Sequence, residues 1–401
     1  MSVVEVVLAV GSALLAIPAV VFTLQCLAGS LLPDRRRAAH GETPGRTVVM
    51  IPAHDEELGI VGTVACLTEA VREGLGGRGE VLVIADNCTD ATAKLAEQAG
   101  ARVLERVDPD RRGKGFAISY GAEALSEAAP DVVVLLDADC RITPASLRHL
   151  AQFAWSCGQP VQADYVLAPP KNPSPTSGIS ALGVLVKNRV RPRGMRALGM
   201  PCQLTGSGMA MPYAVLRDAP KTEGNIVEDM VLGVELALRG SWPRSTSQAE
   251  VRSELPAQRD AATGQRRRWE HGHLATMLSH APRLLLRGLT RCSPRLVAMG
   301  LDLLVPPIAL LVVALLAWSA VCSTVFFVDA AVWPFWLAVS AFASVALGTL
   351  VAWGVHGRQT LPLRHLLCVP LYVAWKIPLY VAFFARRGQR SWNRTARSSS
   401  E

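Results

Sequence analysis

The chain has 401 residues, a formal charge of +8 and a mean hydropathy of +0.27, and half of its residues are hydrophobic. This length allows one large domain with additions, and the hydropathy is high for a soluble enzyme. Nine scattered cysteines, an odd number without a Cys-x-x-Cys pair, argue against a disulfide scaffold or a structural zinc site and fit a reduced cytosolic domain.

The basic residues cluster in segments, several of which flank apolar stretches, and no pattern of base-stacking aromatic residues accompanies them. Anchoring at a membrane surface therefore explains the charge more simply than nucleic acid, which we do not expect as a partner. The basic segments are 35–37, 187–196, 266–268, 283–295 and 386–397.

The apolar run over residues 1–32 is long enough to span a bilayer as a transmembrane helix. A cleaved signal peptide would have a basic start and a shorter apolar region. Here Glu5 comes early, and the first basic residues, 35–37, follow the run. We therefore favour an uncleaved anchor in the cell membrane. The positive-inside rule predicts that the chain from residue 35 onward lies on the cytoplasmic side.

Residues 45–275 alternate between β-branched apolar segments and segments with helical spacing. Strands are predicted at 47–51, 81–85, 102–105 and 132–136, and helices at 56–73, 89–100 and 115–129. This alternation indicates an α/β domain with a mostly parallel, doubly wound sheet. Such sheets bind ligands at the carboxyl ends of their strands.

Three of these predicted strands run directly into acidic residues. The first is followed by residues 54–57, His-Asp-Glu-Glu, the second by Asp86-Asn87 and the fourth by Asp137-Ala138-Asp139. Helix capping explains Asp90 well but does not explain three strand ends at once. We therefore expect the acidic groups to converge on one rim of the sheet.

The Asp137-x-Asp139 pair offers two hard oxygen ligands to Mg²⁺ or Mn²⁺, ions that share their coordination with phosphates. A helix cap is the simplest alternative. A phosphatase of the haloacid-dehalogenase type also begins with Asp-x-Asp after a strand, but Cys140-Arg141 does not continue its pattern.

Four further motifs have both a simple and a chemical interpretation. The basic loop at 111–115 (RRGKG), before a helix, is either a solvated turn or an anion site, and the acidic pair at 228–229 (ED), in a first helical turn, either compensates the helix dipole or supplies a general base. The glycine loop at 206–208 (GSG) either turns the chain or borders a ligand. The arginine run at 265–269 (QRRRW), beside a tryptophan, suits phosphate and a sugar ring.

The rest of the chain is apolar with basic borders. Arginines recur every four residues from 283 to 295, so 276–295 is predicted to be an amphipathic interfacial segment. Residues 296–355 are expected to form two transmembrane helices, the first kinked at Pro306-Pro307. Residues 366–385 are apolar but basic on both sides, which favours an interfacial or re-entrant segment over a full span, and 386–401 form a basic tail.

The order of these motifs resembles that of the membrane-bound family-two glycosyltransferases of the cellulose, chitin, hyaluronan and poly-N-acetylglucosamine synthase type. The resemblance covers roughly residues 45–275. It implies a GT-A domain that inverts the sugar as it moves it from a nucleotide sugar, commonly a UDP-sugar, to a glycan or glycolipid acceptor at the cytoplasmic face. It also implies Mg²⁺ or Mn²⁺ as the cofactor.

The resemblance assigns a role to each motif residue. Asp229 would be the catalytic base and Asp139 the metal ligand. The donor would be held by Pro52, Glu57, Asp86, Lys114, Asp137 and Arg268. The acceptor would be held by Gly206, Ser207, Gly208, Gln265 and Trp269.

Three features depart from the resemblance. His54-Asp55 stands where family members usually have Tyr-Asn, and Asp86-Asn87 ends the second strand where many members have Asp-Asp. Three spans are also few for a polymer channel, so processive synthesis stays open. A homo-oligomer or a separate export partner would supply the further transmembrane helices that a polymer channel needs. Two rival functions also stay open. A polyprenyl-phosphate glycosyltransferase has no clear use for Gln-x-x-Arg-Trp, and a catalytically silent transferase-like scaffold does not require the complete acidic set.

Overall fold

The computed structural model describes residues 3–34, 43–168, 174–221, 224, 227–254, 259–329 and 332–385. The predicted basic tail at 386–401 and the arginines at 35–37 lie outside these ranges. The chain divides into two compact units. Among the described residues, we call those within 43–168 and 201–272 the sheet unit, and those within 3–34, 174–200 and 273–385 the helical unit. The segment 174–200 therefore belongs to the helical unit, although it falls inside the predicted domain of residues 45–275.

The sheet unit contains one eight-stranded mixed sheet in the order β3-β2-β1-β4-β7-β6-β8-β5. The pairs β1–β2, β1–β4, β2–β3 and β6–β8 are parallel, whereas β4–β7, β6–β7 and β5–β8 are antiparallel. The strands are Thr47–Ala53 (β1), Gly79–Asp86 (β2), Arg102–Arg106 (β3), Val132–Leu135 (β4), Arg141–Ile142 (β5), Val161–Ala168 (β6), Met209–Pro212 (β7) and Arg244–Glu254 (β8).

The central strands are apolar because both of their faces are covered. Thr47 to Ile51 in β1 and all of β4 are buried, as a parallel sheet with helices on both faces requires. The helices of this unit are Ile60–Leu75, Thr92–Gln98, Lys114–Ala124, Pro144–Cys157, Tyr213–Arg217 and Glu228–Leu238, together with the start of Arg259–Thr290. The structure confirms the α/β class, and the four predicted strands form the parallel half of the sheet.

The described part of the helical unit is built of helices, and the longest of them are strongly apolar. They are Val3–Leu31, Pro175–Leu185, Arg191–Ala197, Pro294–Leu303, Ile308–Asp329, Val332–Ala352, Leu363–Leu366 and Val369–Phe384, with one π-turn at Val186–Val190 and another at Trp353–Gly357. The helix Arg259–Thr290 begins in the sheet unit and ends in this one.

Two described helices are long and apolar enough to cross a membrane, Val3–Leu31 and Trp333–Gly357. A third span results if Pro294–Leu303 and Ile308–Thr324, which meet at a bend of 77°, count as one. Pro306 and Pro307 lie in the break between them, where neither ring supplies the N–H that a continuous helix needs. Val369–Phe384 is apolar but shorter. The length and composition of these helices indicate membrane association.

A buried polar cluster and two glycines join helices of the helical unit. The Arg191 guanidinium donates to Asp302 Oδ1 at 2.7 Å and to Gln25 Oε1 at 2.7 Å, and Gln25 donates to Asp302 Oδ1 at 2.8 Å. A Cβ atom at Gly29 would lie 2.1 Å from the Val190 carbonyl oxygen, and one at Gly194 would lie 2.1 Å from the Gln25 carbonyl oxygen. Backbone therefore meets backbone directly at this contact.

Candidate active site

At the rim of the sheet, a lysine contacts the carboxylate of Asp137, which follows β4. Lys114 begins the helix Lys114–Ala124, and its Nζ donates to Asp137 Oδ1 at 2.5 Å and to the Gly206 carbonyl at 2.7 Å. It also lies 3.9 Å from Glu228 Oε1. The loop of residues 111–115, for which a solvated turn was the simple interpretation, thus places its lysine among three other predicted motifs.

The charge of Lys114 is set by its neighbours. Burial alone would lower the pKa of this ammonium group, but the carboxylates of Asp137 and Glu228 outweigh burial and hold its pKa above the ordinary value. Lys114 therefore stays a fixed positive charge over the pH range in which enzymes work. A fixed cation at a helix N-terminus suits the negative charge of a phosphate group.

The Asp137-Ala138-Asp139 turn is held from several sides. The Asp137 backbone N–H donates to Ser207 Oγ at 3.1 Å, and Asp139 Oδ2 accepts from Ser253 Oγ at 2.9 Å. Ligand atoms of Asp137, Asp139 and Cys140 all lie within 4.8 Å of one another. Burial raises the pKa of the Cys140 thiol well above its usual value, so this thiol stays protonated and the two carboxylates are the remaining candidate ligands. Their hard oxygens fit Mg²⁺ or Mn²⁺.

The glycine loop at 206–208 supports this turn. Ser207 is fully buried, and its hydroxyl donates to Cys140 Sγ at 3.0 Å while accepting from Asp137. Gly206 and Gly208 have φ values of 90° and 73°, a region that favours glycine. In this conformation the Ser207 side chain faces the Asp137-Ala138-Asp139 turn, so its predicted contact with an acceptor stays a prediction.

The acidic pair Glu228-Asp229 opens the helix Glu228–Leu238 beside the glycine loop. A Cβ atom at Gly206 would lie 3.2 Å from Asp229 Oδ2, so the missing side chain there leaves room for this carboxylate. Burial, with the neighbouring charge of Asp229, raises the pKa of Glu228 to about 7, although the Lys114 ammonium opposes the shift. The pair is thus part of the same charged cluster as Lys114.

The opposite end of the rim is formed around Asp86, at the end of β2. Its Oδ1 accepts from Arg106 Nη1 at 2.6 Å and from Asn87 Nδ2 at 3.0 Å. The Nδ1 atom of His54 lies 2.7 Å from the Asp86 carbonyl oxygen, which accepts the hydrogen bond. His54, which departs from the family pattern, thus supports the predicted donor-binding aspartate. Arg106 had no signal in the sequence beyond its place at the end of a strand.

Glu57, a predicted donor ligand, is exposed and accepts from the Ala91 N–H at 3.2 Å, just before the helix Thr92–Gln98. Nearby, Asp55, Cys88 and Asp90 form a second group with metal-ligand geometry. Asp55 accepts from the Thr89 N–H at 2.6 Å, Asp90 accepts from backbone N–H groups, and burial raises the pKa of Cys88 to about 11. These groups shape the loop, and Pro52 lies in β1 beside them.

The Gln-x-x-Arg-Trp motif lies on the helix Arg259–Thr290. Gln265, Arg268 and Trp269 are three and four residues apart, so they share one side of the helix, and all three are partly buried. Later on the same helix, a Cβ atom at Gly272 would lie 2.5 Å from Val227, the residue before Glu228. The helix therefore passes close to the start of the Glu-Asp helix, and contacts of the three side chains with ligands stay a prediction.

The fold and the rim place the chain in the GT-A class of α/β domains. Residues 44–272 match the family described as "Glycosyltransferase like family 2", and the chain belongs to that family. The more specific resemblance to the polysaccharide synthases is part of the proposal below.

Two relatives bear on this assignment. The low-salt glycan biosynthesis hexosyltransferase Agl6 of Haloferax volcanii is 37% identical over 92 residues, which are 23% of this chain and 20% of that protein. The chain therefore matches about a fifth of that relative's length. The mannosyltransferase PcManGT of Pyrobaculum calidifontis, solved with GDP-Man and Mn²⁺, has a TM-score of 0.57 at 16% identity, over 96% of this chain and 99% of its own. This second likeness shows the shared fold.

Proposed function

We propose that the protein is an inverting glycosyltransferase that moves a hexosyl or N-acetylhexosaminyl group from a nucleotide sugar to a glycan or lipid-linked acceptor. The single observation that carries the proposal is the position of Lys114. Its ammonium contacts Asp137 and the Gly206 carbonyl and lies 3.9 Å from Glu228, so it joins the Asp-x-Asp turn, the glycine loop and the Glu-Asp helix. These are motifs to which the resemblance assigns the donor, the acceptor and the catalytic base.

At the donor end, Lys114 and Arg268 neutralise the diphosphate, and Asp86 accepts a hydrogen bond from the nucleoside. A divalent ion held by Asp139, with Asp137 beside it, would act as a Lewis acid for the leaving diphosphate. The carboxylates of the turn fit Mg²⁺ as well as Mn²⁺, and Mn²⁺ is the ion bound to PcManGT. Fixed positive charge next to the leaving group stabilises the transition state more than the ground state.

At the acceptor end, Asp229 removes the proton from the acceptor hydroxyl. The acceptor oxygen forms a bond to the anomeric carbon while the bond from that carbon to the diphosphate oxygen breaks, and the electron pair leaves with the nucleotide. The proton stays on Asp229 until it is lost to solvent. A single displacement of this kind inverts the anomeric centre and needs no covalent enzyme intermediate.

The expected membrane topology indicates the side of the membrane on which the acceptor would lie. The apolar helices of the helical unit and the sequence's basic borders favour a catalytic domain at the cytoplasmic face of the cell membrane. The glycan-biosynthesis role named for Agl6 supports a glycan or glycolipid acceptor. Processive synthesis, with a second copy or an export partner completing a channel, is an extension of the same proposal.

The test is sugar transfer by the purified protein in detergent, with Mn²⁺, a panel of UDP- and GDP-sugars and mass analysis of the products. We expect Asp229→Asn to lower turnover by a factor of at least about 10³ while nucleotide-sugar binding changes less than about threefold, because the base acts only in the chemical step. Asp218→Asn, an exposed aspartate paired with Arg217, is the matched control and should behave as wild type.

Turnover of Asp229→Asn at the wild-type rate would show that another group is the base. Binding of nucleotide sugars by the wild type without any transfer or hydrolysis would favour the silent scaffold. A product whose sugar is joined directly to a polyprenyl phosphate would favour the polyprenyl-phosphate transferase.

A further inference from the structure

Arg106, the last residue of β3, is a charged side chain that is almost entirely buried. Its exposed side-chain fraction is 10%, and that of its partner Asp86 is 6%. Besides Asp86, its guanidinium donates from Nη1 to the Arg111 carbonyl at 2.7 Å and from Nη2 to Asp108 Oδ2 at 3.0 Å. Such a group is fixed in one geometry, because moving it would leave several charged or polar atoms without partners.

The contacts of Asp86 leave one of its oxygens for a ligand. Oδ1 accepts from both Arg106 and Asn87, and Asn87 is itself held by the Asp108 N–H, which donates to its Oδ1 at 2.7 Å. In the described part of the chain, Oδ2 receives one long contact, from the Gly113 N–H at 3.5 Å. Arg106 thus occupies one oxygen and orients the other.

The same guanidinium organises the loop that leads to Lys114. Asp108 Oδ1 accepts from the Arg111 N–H at 3.1 Å, so Asp108 and the Arg111 carbonyl close the loop around Arg106. The guanidinium carbon lies 5.4 Å from the ring centre of Phe116, in the first turn of the helix that Lys114 begins. One side chain therefore links the end of β2 to the start of that helix.

We propose that Arg106 is a positioning residue that fixes Asp86 for nucleobase recognition and, through the loop of residues 108–113, fixes the helix start that carries Lys114. The inference rests on the proposed function, because it deepens the donor site. A carboxylate accepts hydrogen bonds and donates none, so the oriented Oδ2 selects bases with a ring N–H, such as uracil and guanine. Cytosine and adenine present a ring nitrogen lone pair at the equivalent edge, which repels it.

The test is binding of UDP, GDP, CDP and ADP to the full-length protein in detergent with Mn²⁺, by calorimetry. We expect the wild type to prefer UDP or GDP over CDP and ADP. Arg106→Gln should lower the affinity for the preferred nucleotide by about tenfold or more, as loss of a buried charge partner does. It should also remove most of the preference for one base over the others. Arg102→Gln, an exposed arginine on the same strand with a 3.8 Å contact to Glu80, should leave binding unchanged.

A second variant separates positioning from folding. Asp108→Asn keeps the Arg106–Asp86 pair but weakens the loop, so it should lower affinity for the preferred nucleotide by a few-fold and keep the base preference. Its unfolding temperature is measured beside that of Arg106→Gln.

Three results would overturn the proposal. Arg106→Gln could keep both affinity and preference, its affinity could fall equally for all four nucleotides, or Asp108→Asn could lose the base preference while still folded. If the wild type binds none of the four nucleotides, the donor site is absent, and the proposed function fails together with this inference.

Discussion

Glu228 is a buried carboxyl group with one positively charged neighbour, Lys114, and two negatively charged neighbours, Asp137 and Asp229. Its pKa of about 7 means that the folded protein keeps a proton that the unfolded chain releases near the ordinary value of 4.5. Between these values the folded state binds more protons, so this group lowers stability as pH rises through the window. Above pH 7 the Glu228 carboxyl is ionised in both the folded and the unfolded state, so the loss of stability no longer changes with pH.

The variant Glu228→Gln carries a permanently neutral group of nearly the same size. We expect its unfolding temperature to match the wild type at pH 5 and to exceed it by roughly 3–6 °C at pH 8, since ionising the buried carboxyl costs up to about 3 kcal/mol at about 1.4 kcal/mol per pKa unit. Thermal unfolding in detergent at both pH values measures this. Glu235→Gln on the same helix is the control, and an equal shift at both pH values would contradict the account.

Single residues differ in how well the sequence alone identifies them as candidates for the site. Asp137, Asp139 and Asp229 could be named as candidates because each belongs to a short motif with a chemical reason for its spacing, and their roles stay predictions. Lys114 was predicted only through the family resemblance, since a basic loop alone fits a solvated turn. Arg106 was not predicted, because its importance comes from three partners that lie near it only after folding.

At the scale of elements, the sequence predicted the strands β1 to β4, of which β1, β2 and β4 are largely buried and β3 is partly exposed. The strands it missed lie toward the other edge of the sheet. β5 has two residues and β7 has four, and β8 alternates small polar and charged residues with buried ones. β6 was missed as well, and all four strands pair with segments distant in the sequence, in parallel for β6–β8 and antiparallel for the other pairs, which leaves little local signal. The parallel half of the sheet was therefore predictable, and the other half was not.

The contact between the helices Val3–Leu31 and Arg191–Ala197 depends on glycine. A methyl group at Gly29 or Gly194 would meet a backbone carbonyl oxygen at 2.1 Å, and backbone cannot move aside as a side chain does. We expect Gly194→Ala to destabilise the protein by about 1–3 kcal/mol, the usual range for overpacking. Lower recovery of monodisperse protein in size-exclusion chromatography after mild heating is the measurement.

Gly183→Ala is the matched control for this contact. Gly183 lies in the helix Pro175–Leu185, and a Cβ atom there would meet nothing within 4 Å. Alanine at that position should be neutral or stabilising, because it favours the helix over the unfolded chain. Equal losses for both variants would contradict this account, because alanine would then destabilise the protein even where no close contact exists.

At the scale of the whole molecule, the candidate spans and the basic segments together predict a topology that one cysteine can report. Cys292 is exposed and follows the helix Arg259–Thr290 among the basic residues expected at the cytoplasmic face. We expect a membrane-impermeant maleimide to label Cys292 in intact cells only after permeabilisation. Cys292→Ser is the control for labelling at other cysteines. Strong labelling of intact cells at Cys292 would place this region outside.

Asp139 is held by Ser253, and this hydrogen bond has a consequence at a distance. Ser253 lies near the end of β8, and the chain reaches Gln265 only 12 residues later. A ligand bound at the proposed Gln-x-x-Arg-Trp site and an ion on Asp139 would thus be connected through one short segment of chain. Where binding of the first shifts β8, linkage requires reciprocity: the acceptor changes the affinity for the ion by the same factor as the ion changes the affinity for the acceptor.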